Sequence, residues 1–476
     1  MIKNQTVFKN HYTDHRQILN EKLRVSESFD VIGKEMVIGS RKAVLYLVDG
    51  FVKDDIMEHV MEFLLSVPEE SISPTETAKD FSARMIPYIE TDVTTDYDAI
   101  VTAVLSGTLA LILEGMDACV LIDARTYPVR AVSEPEDDRV LRGAHDGFVE
   151  TLVFNTSLIR RRIRDPQLTM DIMQIGDKSK TDVVVCYLQN KVHMHLLKEI
   201  KKKLREIDIH TLTMGQESLA ECLIKPQWWN PFPRIRYTER PDAASASIME
   251  GNVLIIVDNS PSVMIFPTSL FDFVQDANDF YFPPLVGSYL RAVRMIVFLL
   301  TLLLTPIWYL LIKNPDFIPS WLEFIKVETP NAVPILAQLL IVELVIDGLK
   351  LASLNTPSVL NNSFSVVGAL ILGDFAVRAN WFIPEVVLYM AFVAIAGFTQ
   401  PSFELGYALK FFRVILLVLT ALLNLWGFGA GILLLIVALC CTRTIDGRKY
   451  LYPLIPFNGK ALLSLLLRRP LKKSKN

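Results

Sequence analysis

The chain has 476 residues, more than one ordinary domain holds, so we expect at least two hydrophobic cores. Its formal net charge of −4 is mild and gives no sign of a nucleic-acid partner. Charged residues are interspersed up to roughly residue 285, whereas Leu, Ile, Val and Phe dominate from Val293 onward. This division predicts a soluble region followed by a membrane domain.

The predicted layout has five parts in chain order. Residues 1–29 are polar and weakly patterned, so they predict an extended arm, with no apolar stretch for a secretory signal peptide. Strands that alternate with helices predict two cytosolic lobes of α/β or α+β class, at residues 30–145 and 146–288. Residues 289–460 predict an all-α polytopic transmembrane domain, and residues 461–476 form a basic tail.

The first lobe is predicted to contain a strand in KAVLYLV, a turn at Asp49-Gly50 and an amphipathic helix. The apolar side chains that recur on one face of that helix are Ile56, Val60 and Phe63. Two further strands are predicted at Leu109–Leu113 and Ala118–Ile122. The polar segment EPEDDRVLRG predicts a linker between the lobes.

The second lobe is predicted to begin with a helix in GFVETLVFNTSLIRRRIRD, followed by the strand TDVVVCYL and the helix HMHLLKEIKKKLREIDI. The run NVLIIVDNSPSVMIFPTS predicts a β-hairpin, because two apolar stretches flank the turn residues DNSP. The same helix region carries four arginines, Arg160, Arg161, Arg162 and Arg164. They are predicted to lie on a solvated helix face or to form inter-lobe salt bridges, in preference to binding lipid head groups or an acidic partner.

The segment RYTERPD places four charged residues within seven positions, namely Arg236, Glu239, Arg240 and Asp242. The residues that follow predict a short helix with Asp242 as its N-cap and Gly251 just past its C-terminal end. No nucleophile, metal-ligand spacing or phosphate-binding loop accompanies these charges. A structural ion-pair cluster that supports lobe or subunit packing is therefore favoured over a ligand site.

Catalytic and metal sites are not predicted, because no hydrolase, zinc-protease, phosphate-loop or dinucleotide-binding motif is present. His193 and His195 lack a third ligand nearby, so surface histidines are favoured over a metal site, and no cofactor is expected. The five cysteines have no paired spacing, which is typical of small buried side chains in a reducing compartment.

The apolar half predicts four to six membrane spans. Met295–Ile312 is the first, with Trp308 and Tyr309 expected at its far interface, and the following loop KNPDFIPSWLEFIKVETPN is expected to lie on the membrane surface. The later apolar runs are Val333–Ala352, Val366–Val377, Val386–Phe398 and Phe411–Thr442. Because the last run is too long for one span, it predicts a hairpin, or one span with a re-entrant piece.

Basic residues predict the orientation of these spans. Arg291 and Arg294 precede the first span, and the tail RRPLKKSKN carries five Lys or Arg residues. Cytoplasmic segments of membrane proteins are enriched in such residues, so both ends are predicted to be cytoplasmic and the number of crossings to be even.

Acidic residues within these apolar runs are the candidate functional side chains. Glu343 and Asp347 are four positions apart and share one helix face, and Asp374 lies in another apolar run. Since a carboxylate facing lipid is costly, these side chains are predicted to face the interior of the helix bundle, an aqueous cavity such as a pore, or a partner subunit. The alternative is an interfacial helix with both acids in water; Glu404 is a weaker candidate.

The chain also resembles a known family in several specific segments. NPFPRIRYTERPD and MEGNVLIIVDNSPSVMIFPTSLFDFVQDANDFYFPPLVGSYLRAVR resemble the GerA family of spore germination proteins, in particular its A-subunit branch. Other similar segments are NTSLIRRRIRDPQL, IGDKSKTDVVVCYL, VVGALILGDFAV and QPSFELGYALKFFR. The family usually has an arginine where this chain has His145, so no role of that arginine is carried over.

The resemblance implies a multi-pass protein of the spore inner membrane with a two-lobed cytosolic domain and no catalytic residues. It implies a ring-like homo-oligomer, with a pentamer as one option, that conducts monovalent cations during germination. The implied partners are a transporter-like B-subunit, a lipoprotein C-subunit or proteins that release dipicolinate. The alternative is a non-conducting membrane scaffold that assembles germination complexes through its cytosolic lobes.

Overall fold

The computed structural model describes residues 12–52, 54–72, 77–86, 88, 90–126, 140, 142–224, 227–276, 278–327, 333–355 and 376–467. The chain divides into two compact units. The first contains Met1–Lys225 and Ile235–Pro267, and the second contains Pro226–Arg234 and Thr268–Asn476. The chain therefore leaves the first unit for nine residues, returns to it, and then leaves it again.

The first unit is built on two five-stranded antiparallel sheets. The strands of the first sheet are β1 (Val31–Ile38), β2 (Arg41–Val48), β3 (Thr91–Thr94), β4 (Leu109–Leu113) and β5 (Cys119–Ile122). Those of the second are β6 (Leu168–Ile175), β7 (Thr181–Leu188), β8 (Arg236–Thr238), β9 (Val253–Val257) and β10 (Val263–Phe266). The spatial orders are β1-β2-β4-β5-β3 and β6-β7-β9-β10-β8, so the second sheet repeats the arrangement of the first.

The helices of the first unit repeat in the same way. They are α1 (Tyr12–Leu23), α2 (Asp54–Leu65), α3 (Ala78–Met85), α4 (Tyr97–Leu105), α5 (Leu152–Arg162), α6 (Met194–Arg205), α7 (Gln216–Leu223) and α8 (Pro241–Met249). In each lobe one helix precedes the first strand, two follow the second strand, and one follows the third. The predicted two-lobed class is confirmed as a mixed α/β region, and the antiparallel pairing makes each lobe α+β.

The first sheet is covered on both faces, and its sequence reflects this. One core joins the sheet to α2 and α3 through side chains such as Val60 and Phe81. A second core joins the other face to α1 and α4 through Leu19 and Ile100. A strand that is buried on both faces has no solvent side, so all five residues of β4, LALIL, are apolar and buried.

Several predicted elements of the first unit match the structure and two do not. The strands predicted at Leu109–Leu113 and Ala118–Ile122 are β4 and β5, and the predicted hairpin is the antiparallel pair β9–β10. The extended arm is wrong for residues 12–23, because α1 buries Leu19 and Leu23 against the first lobe. Phe63, predicted on the buried face of α2, is 39% exposed, and Leu64 is buried instead.

A buried ion pair joins the two lobes within the first unit. Arg160 on α5 donates from Nε and Nη2 to the Asp30 carboxylate over 2.7 and 3.0 Å, and both side chains are buried. Arg160 Nη2 also donates to Ser28 Oγ and Leu168 O, and Nη1 donates to Asp165 O. The prediction of inter-lobe salt bridges is therefore confirmed for the first arginine of the run.

A glycine allows the backbones of the two lobes to approach closely beside this pair. Ser157 Oγ on α5 donates to Asp49 O over 3.2 Å, at the turn after β2. Gly50 follows with φ +77°, and a Cβ there would clash with Ser157 and Val153. Burial raises the pKa of the Asp49 carboxyl above its ordinary value.

The second unit is helical. Its helices are α9 (Asn278–Tyr281), α10 (Pro284–Lys313), α11 (Ile335–Asn355), α12 (Ala376–Arg378), α13 (Pro384–Phe398), α14 (Phe403–Cys441) and α15 (Gly459–Leu466). Among the described residues, α10 and α14 are long and apolar enough to cross a membrane, and α13 is shorter and apolar. The predicted first span, Met295–Ile312, lies within α10. The predicted run Val366–Val377 lies outside the described residues except for its last two positions.

The 39-residue α14 is a helical hairpin, one of the two alternatives predicted from the length of Phe411–Thr442, which carries no charge after Arg413. Asn424 has φ 54° and ψ −130°, which ends one helical segment and starts the next. A Cβ on Gly427 would clash with the carbonyl oxygen of Leu419, and a Cβ on Gly431 would lie 2.6 Å from Leu416 Cδ2. These contacts require the second segment to run back along the first, and they require glycine where the backbones meet.

Polar side chains fix the turn of this hairpin to the end of α10. Asn314 Nδ2 donates to Asn424 Oδ1 over 2.6 Å, and Asn424 Nδ2 donates back to Asn314 Oδ1 over 2.8 Å. Lys313 Nζ donates to Ala421 O over 2.7 Å, which satisfies a carbonyl at the end of the first helical segment.

Trp308 is buried inside the second unit, and its predicted position at the far membrane interface stays a prediction. Trp308 is 3% exposed, its ring lies 4.7 Å from that of Tyr389, and its Nε1 donates to Ile325 O. The exposed aromatic residues of the following segment are Phe317, Trp321 and Phe324. The indole thus fills the interior of the second unit, because its N–H finds a carbonyl partner there.

Candidate functional site: a charge network between two apolar helices

Four charged side chains meet inside the second unit, on two helices that are otherwise largely apolar. Glu343 and Asp347 are one turn apart near the middle of α11, and Lys410 and Arg413 are one turn apart on α14. Residues three or four apart share one face of a helix, so each helix presents a pair of like charges to the other. The two pairs have opposite sign and neutralise each other.

The contacts within this charge network are short. Arg413 Nη2 donates to Glu343 Oε1 over 2.6 Å, and Lys410 Nζ forms an ion pair with Asp347 Oδ2. Lys410 Nζ also lies 3.8 Å from Glu343 Oε1, so it contacts both carboxylates. Arg413 Nη1 donates to Thr301 O over 2.7 Å and thereby joins α10 to the network.

Two atoms of the network have no hydrogen-bond partner among the described residues. They are Arg413 Nε and Asp347 Oδ1, and both are buried. Arg413 and Glu343 are themselves 3% and 7% exposed. A buried polar atom without a partner costs free energy, so these two atoms can accept a further ligand, such as water, an ion or a group from another chain.

Aromatic rings border the network on one side. Lys350, one turn after Asp347 on α11, places its Nζ 5.2 Å from the ring centre of Phe398 and 5.7 Å from that of Tyr407. Lys410 Nζ lies 6.0 Å from the Tyr407 ring. These cation–π distances keep a third positive charge close to the two carboxylates.

The acids predicted from the sequence therefore fall in different places. Glu343 and Asp347 come together with Lys410 and Arg413, whereas Asp374 lies outside the described residues. Glu404 is exposed in the first turn of α14, where a negative charge complements the helix dipole. The role of all four in a pore stays a prediction.

Sequence reasoning missed Lys410 and Arg413, although both lie in QPSFELGYALKFFR, a segment already noted for its resemblance. The available signal was their spacing of three in an apolar run, opposite in sign to the acid pair. Nothing in the sequence states that these two helices are neighbours.

The charges of RYTERPD form a buried cluster in the second lobe. Arg240 is 0% exposed, and its Nε and Nη2 donate to the Asp242 carboxylate over 3.1 and 2.6 Å. Arg240 Nη2 also donates to Ala144 O, and Glu239 O accepts from Phe148 N. The prediction joined Arg240 to Arg236 and Glu239, whereas its observed ion-pair partner is Asp242, and a role in assembly stays a prediction.

The cap of α8 differs from the prediction in one respect. Arg240 is the N-cap, Pro241 is the first helical residue and Asp242 is the second, so the prediction of Asp242 as N-cap is wrong. Proline fits the first helical position because it needs no N–H partner there. Gly251 follows the C-cap Glu250 with φ +98°, as predicted, and Arg236 is half-buried on β8.

The excursion Pro226–Arg234 is anchored inside the second unit. Asn230 Nδ2 donates to Thr442 Oγ1 over 2.5 Å, and the Phe232 ring stacks on Phe412 at 5.2 Å. The Tyr450 hydroxyl donates to Pro233 O over 2.6 Å, and burial raises the pKa of this phenol well above its ordinary value. Tyr450 therefore stays protonated and keeps this hydrogen bond.

Histidine and cysteine placement gives no metal site within the described ranges, where no group of three or more His, Cys, Asp or Glu is arranged to hold an ion. His193 is the N-cap of α6 and His195 is its second residue, and both are exposed. All five cysteines are free. The expectation of buried thiols is confirmed for two of them and wrong for the exposed Cys222, Cys440 and Cys441.

Comparison with known proteins identifies relatives along the whole chain. The sequence model of the family described as "Bacillus/Clostridium GerA spore germination protein" matches residues 17–476. The chain is 38% identical to stage V sporulation protein AF of Bacillus subtilis (strain 168) over 466 residues, which are 98% of this chain and 92% of that protein. It is 27% identical to spore germination protein A1 of the same organism, with coverage of 98% and 96%.

Comparison with solved structures gives a match to one domain of a germinant-receptor subunit. It is the N-terminal domain of the A subunit of the Bacillus megaterium spore germinant receptor GerK3, which is 23% identical to this chain. The match covers 55% of this chain and 96% of that domain, with a TM-score of 0.41.

Proposed function

Because the chain belongs to the GerA family of spore germination proteins, we propose that it is a polytopic membrane protein whose assembled copies pass monovalent cations during germination. It acts in the spore inner membrane as a homo-oligomeric ring, with its first unit and its tail in the cytoplasm. Its partners are other germination membrane proteins, either transporter-like and lipoprotein subunits or proteins that release dipicolinate.

The observation that carries this proposal is the charge network of Glu343, Asp347, Lys410 and Arg413. Ionisable residues within apolar helices are costly, and they occur where ions, protons or partner helices interact. Two polar atoms of this network lack a partner among the described residues, so the site has capacity for an additional ligand. An oligomer that brings several copies of α11 around one axis would place that capacity beside a conduction path.

A non-conducting scaffold is the second candidate, and one observation favours it. Each carboxylate already pairs with a cation of the same chain, so the network is charge-balanced without an added ion. In that case the network only holds α10, α11 and α14 together. The two candidates differ in ion flux and in the effect of removing a complete charge pair.

Reconstitution of the full chain in liposomes tests the proposal. The oligomer is first sized by mass, and efflux of K⁺ and Na⁺ is then compared with that of Cl⁻. The wild type is expected to pass cations. Glu343→Gln should lower this flux about tenfold or more, because it leaves Arg413 as an unpaired buried charge at a cost of about 3–5 kcal/mol.

The double variant Glu343→Gln/Arg413→Gln separates conduction from folding, because it removes the pair without stranding a charge. An assembled double variant that conducts but has lost its preference for cations supports a carboxylate at the conduction path. If the double variant shows the flux and selectivity of the wild type, the charge network does not line the conduction path. If the wild type forms a well-defined oligomer that passes no ions, the scaffold function is favoured. Glu323→Gln, at an exposed position of the segment after α10, is the matched control and should leave flux unchanged.

A further inference from the structure

A tight turn in the second unit presents two tryptophans to the outside. Asn230 N donates to Gln227 O over 3.1 Å, so Trp228 and Trp229 are the two central residues of a four-residue turn. Trp228 is fully exposed and Trp229 is 57% exposed. Two adjacent exposed indoles are uncommon in a folded chain, because Trp is highly buried on average.

This turn is fixed at the point where an apolar helix ends. Asn230 is bonded to Thr442, which is the C-cap of α14. The seventeen residues before Thr442, from Leu425 to Cys441, carry no charge. The tryptophans thus occupy a defined position at the boundary between an apolar helix and a polar segment, which is where indoles concentrate in membrane proteins.

Two cations face each other directly beyond the same helix end. Residues 443–449 form a short hairpin in which Arg443 and Lys449 are opposite each other across an antiparallel bridge. The charge of Arg448 is taken by Asp446, whose Oδ2 lies 2.7 Å from Arg448 Nε. Arg443 and Lys449 are exposed, and neither pairs with a carboxylate in the part of the chain that the structure describes.

Like charges at directly opposed positions repel each other, so an anion bound by both would stabilise the hairpin. Asp446 holds the hairpin in shape before any ligand arrives, since its Oδ1 accepts from Thr444 Oγ1 over 2.5 Å and from Arg448 N over 3.4 Å. Arg443 follows Thr442 in the chain, so these cations lie beside the tryptophan turn that Thr442 anchors. The two exposed cations and the two exposed indoles therefore lie on either side of the hydrogen bond between Asn230 and Thr442.

We propose that Arg443 and Lys449 bind the phosphate of an anionic phospholipid, with Trp228 and Trp229 seated beside it in the headgroup layer. A free anion would make no use of the two indoles, whereas a lipid contacts both parts of the site. The proposal requires that the second unit lie in a membrane, and it does not depend on conduction. Basic side chains at such a surface attract anionic lipids, and aromatic ones prefer the same depth.

Nanodiscs that contain the full chain test the charged half of the site. One set is made of phosphatidylcholine alone and the other of phosphatidylcholine with phosphatidylglycerol; retained lipid is counted by native mass spectrometry and Tm is recorded. We expect retained phosphatidylglycerol and a higher Tm in the mixed discs. Arg443→Gln/Lys449→Gln should lose roughly tenfold or more in phosphatidylglycerol retention, since each basic side chain near an anionic surface is worth about a fivefold gain.

Lys326→Gln is the matched control for this experiment. It removes one exposed positive charge from the segment after α10, away from the helix end at Thr442. Its phosphatidylglycerol retention should equal that of the wild type. Inorganic phosphate added to phosphatidylcholine discs is the second control and should not raise Tm.

The aromatic half of the site is tested by quenching of tryptophan fluorescence with brominated phosphatidylglycerol. The fluorescence of Trp228 and Trp229 is obtained by subtracting the signal of Trp228→Phe/Trp229→Phe from that of the wild type. We expect the brominated lipid to quench this fluorescence, and to quench it less in Arg443→Gln/Lys449→Gln. Equal retention of both lipids, undiminished retention in the charge variant, or an equal effect of inorganic phosphate would overturn the proposal. So would unquenched indoles whose replacement changes the oligomer mass, because a second copy would then occupy the turn.

Discussion

Two buried arginines, Arg160 in the first unit and Arg413 in the second, are held in different ways. All three nitrogen positions of Arg160 donate, to Asp30, to Ser28 and to two backbone carbonyls. Arg413 donates from its two Nη atoms, to Thr301 O and to Glu343, while its Nε has no partner among the described residues. The first guanidinium is fully satisfied and the second is not.

The two buried ion pairs therefore have different structural consequences in the two units. A fully satisfied ion pair has one favourable arrangement, so Arg160 and Asp30 fix the two lobes relative to each other. An incompletely satisfied pair leaves a donor free for another ligand, so the network around Arg413 can change its contacts at lower cost. The pair Arg160–Asp30 thus ties the two lobes of the first unit together, whereas the network around Arg413 keeps one unused donor among the described residues.

The largest expected effect comes from Arg160→Met, at the contact between the two lobes of the first unit. A variant of unchanged stability would contradict the role assigned to the Arg160–Asp30 pair. The change leaves the Asp30 carboxylate buried without its cation and should destabilise the first unit by about 3–5 kcal/mol. Hydrogen exchange of the Phe29 and Met170 amides reports on the contact between the two lobes, because Phe29 N donates to Met170 O and Met170 N donates to Ser28 Oγ. Their exchange should accelerate by about two to three and a half orders of magnitude, as about 1.4 kcal/mol corresponds to tenfold.

Arg160→Met/Asp30→Asn is the control for that variant. It removes both charges, so a substantial part of the lost protection should return. A double variant as unprotected as Arg160→Met alone would show that lost packing, and not the stranded carboxylate, causes the effect.

A second prediction compares the contributions of Arg240 and Arg236, both in RYTERPD, to the stability of the first unit. Arg240→Ala removes a fully buried guanidinium that donates to Asp242 and Ala144 O, so we expect about 2–4 kcal/mol of destabilisation. Arg236→Ala is the matched control on the half-buried edge strand β8, and it should cost less than about 1 kcal/mol. Thermal unfolding of the two purified variants measures both effects, and equal losses of Tm would contradict the assignment of Arg240 as the central residue.

Some of this architecture could be predicted because the signal is local. The run LALIL lies between two turns and is apolar throughout, so β4 was predicted with its observed bounds. For the same reason a hairpin was one of two structures predicted from the long run Phe411–Thr442, which has no charge after Arg413. The repeat of the two lobes was missed because β3 and β8, the edge strands that complete each sheet, have only four and three residues, TDVT and RYT.

The candidate site was predictable only in part, because pairing between distant residues is not a local property. The spacing of Glu343 and Asp347 identified one face of one helix. Arg413 lies 70 residues after its partner Glu343, and Lys410 lies on the same helix as Arg413. Only the packing of α11 beside α14 brings these side chains together. The polar helix α1 was missed because its apolar residues Leu19 and Leu23 are few and need the lobe to cover them.

The smallest expected effect tests whether backbone packing, and not charge satisfaction, holds the hairpin of the second unit. Gly427→Ala places a Cβ against the Leu419 carbonyl and should cost about 1–3 kcal/mol by overpacking. Gly429→Ala is two residues away, and its Cβ meets nothing within 4 Å, so it should stabilise the helix by up to about 1 kcal/mol. Thermal unfolding in detergent should therefore move Tm in opposite directions for two identical substitutions. A shared direction would mean that the two segments of α14 do not pack against each other at Gly427.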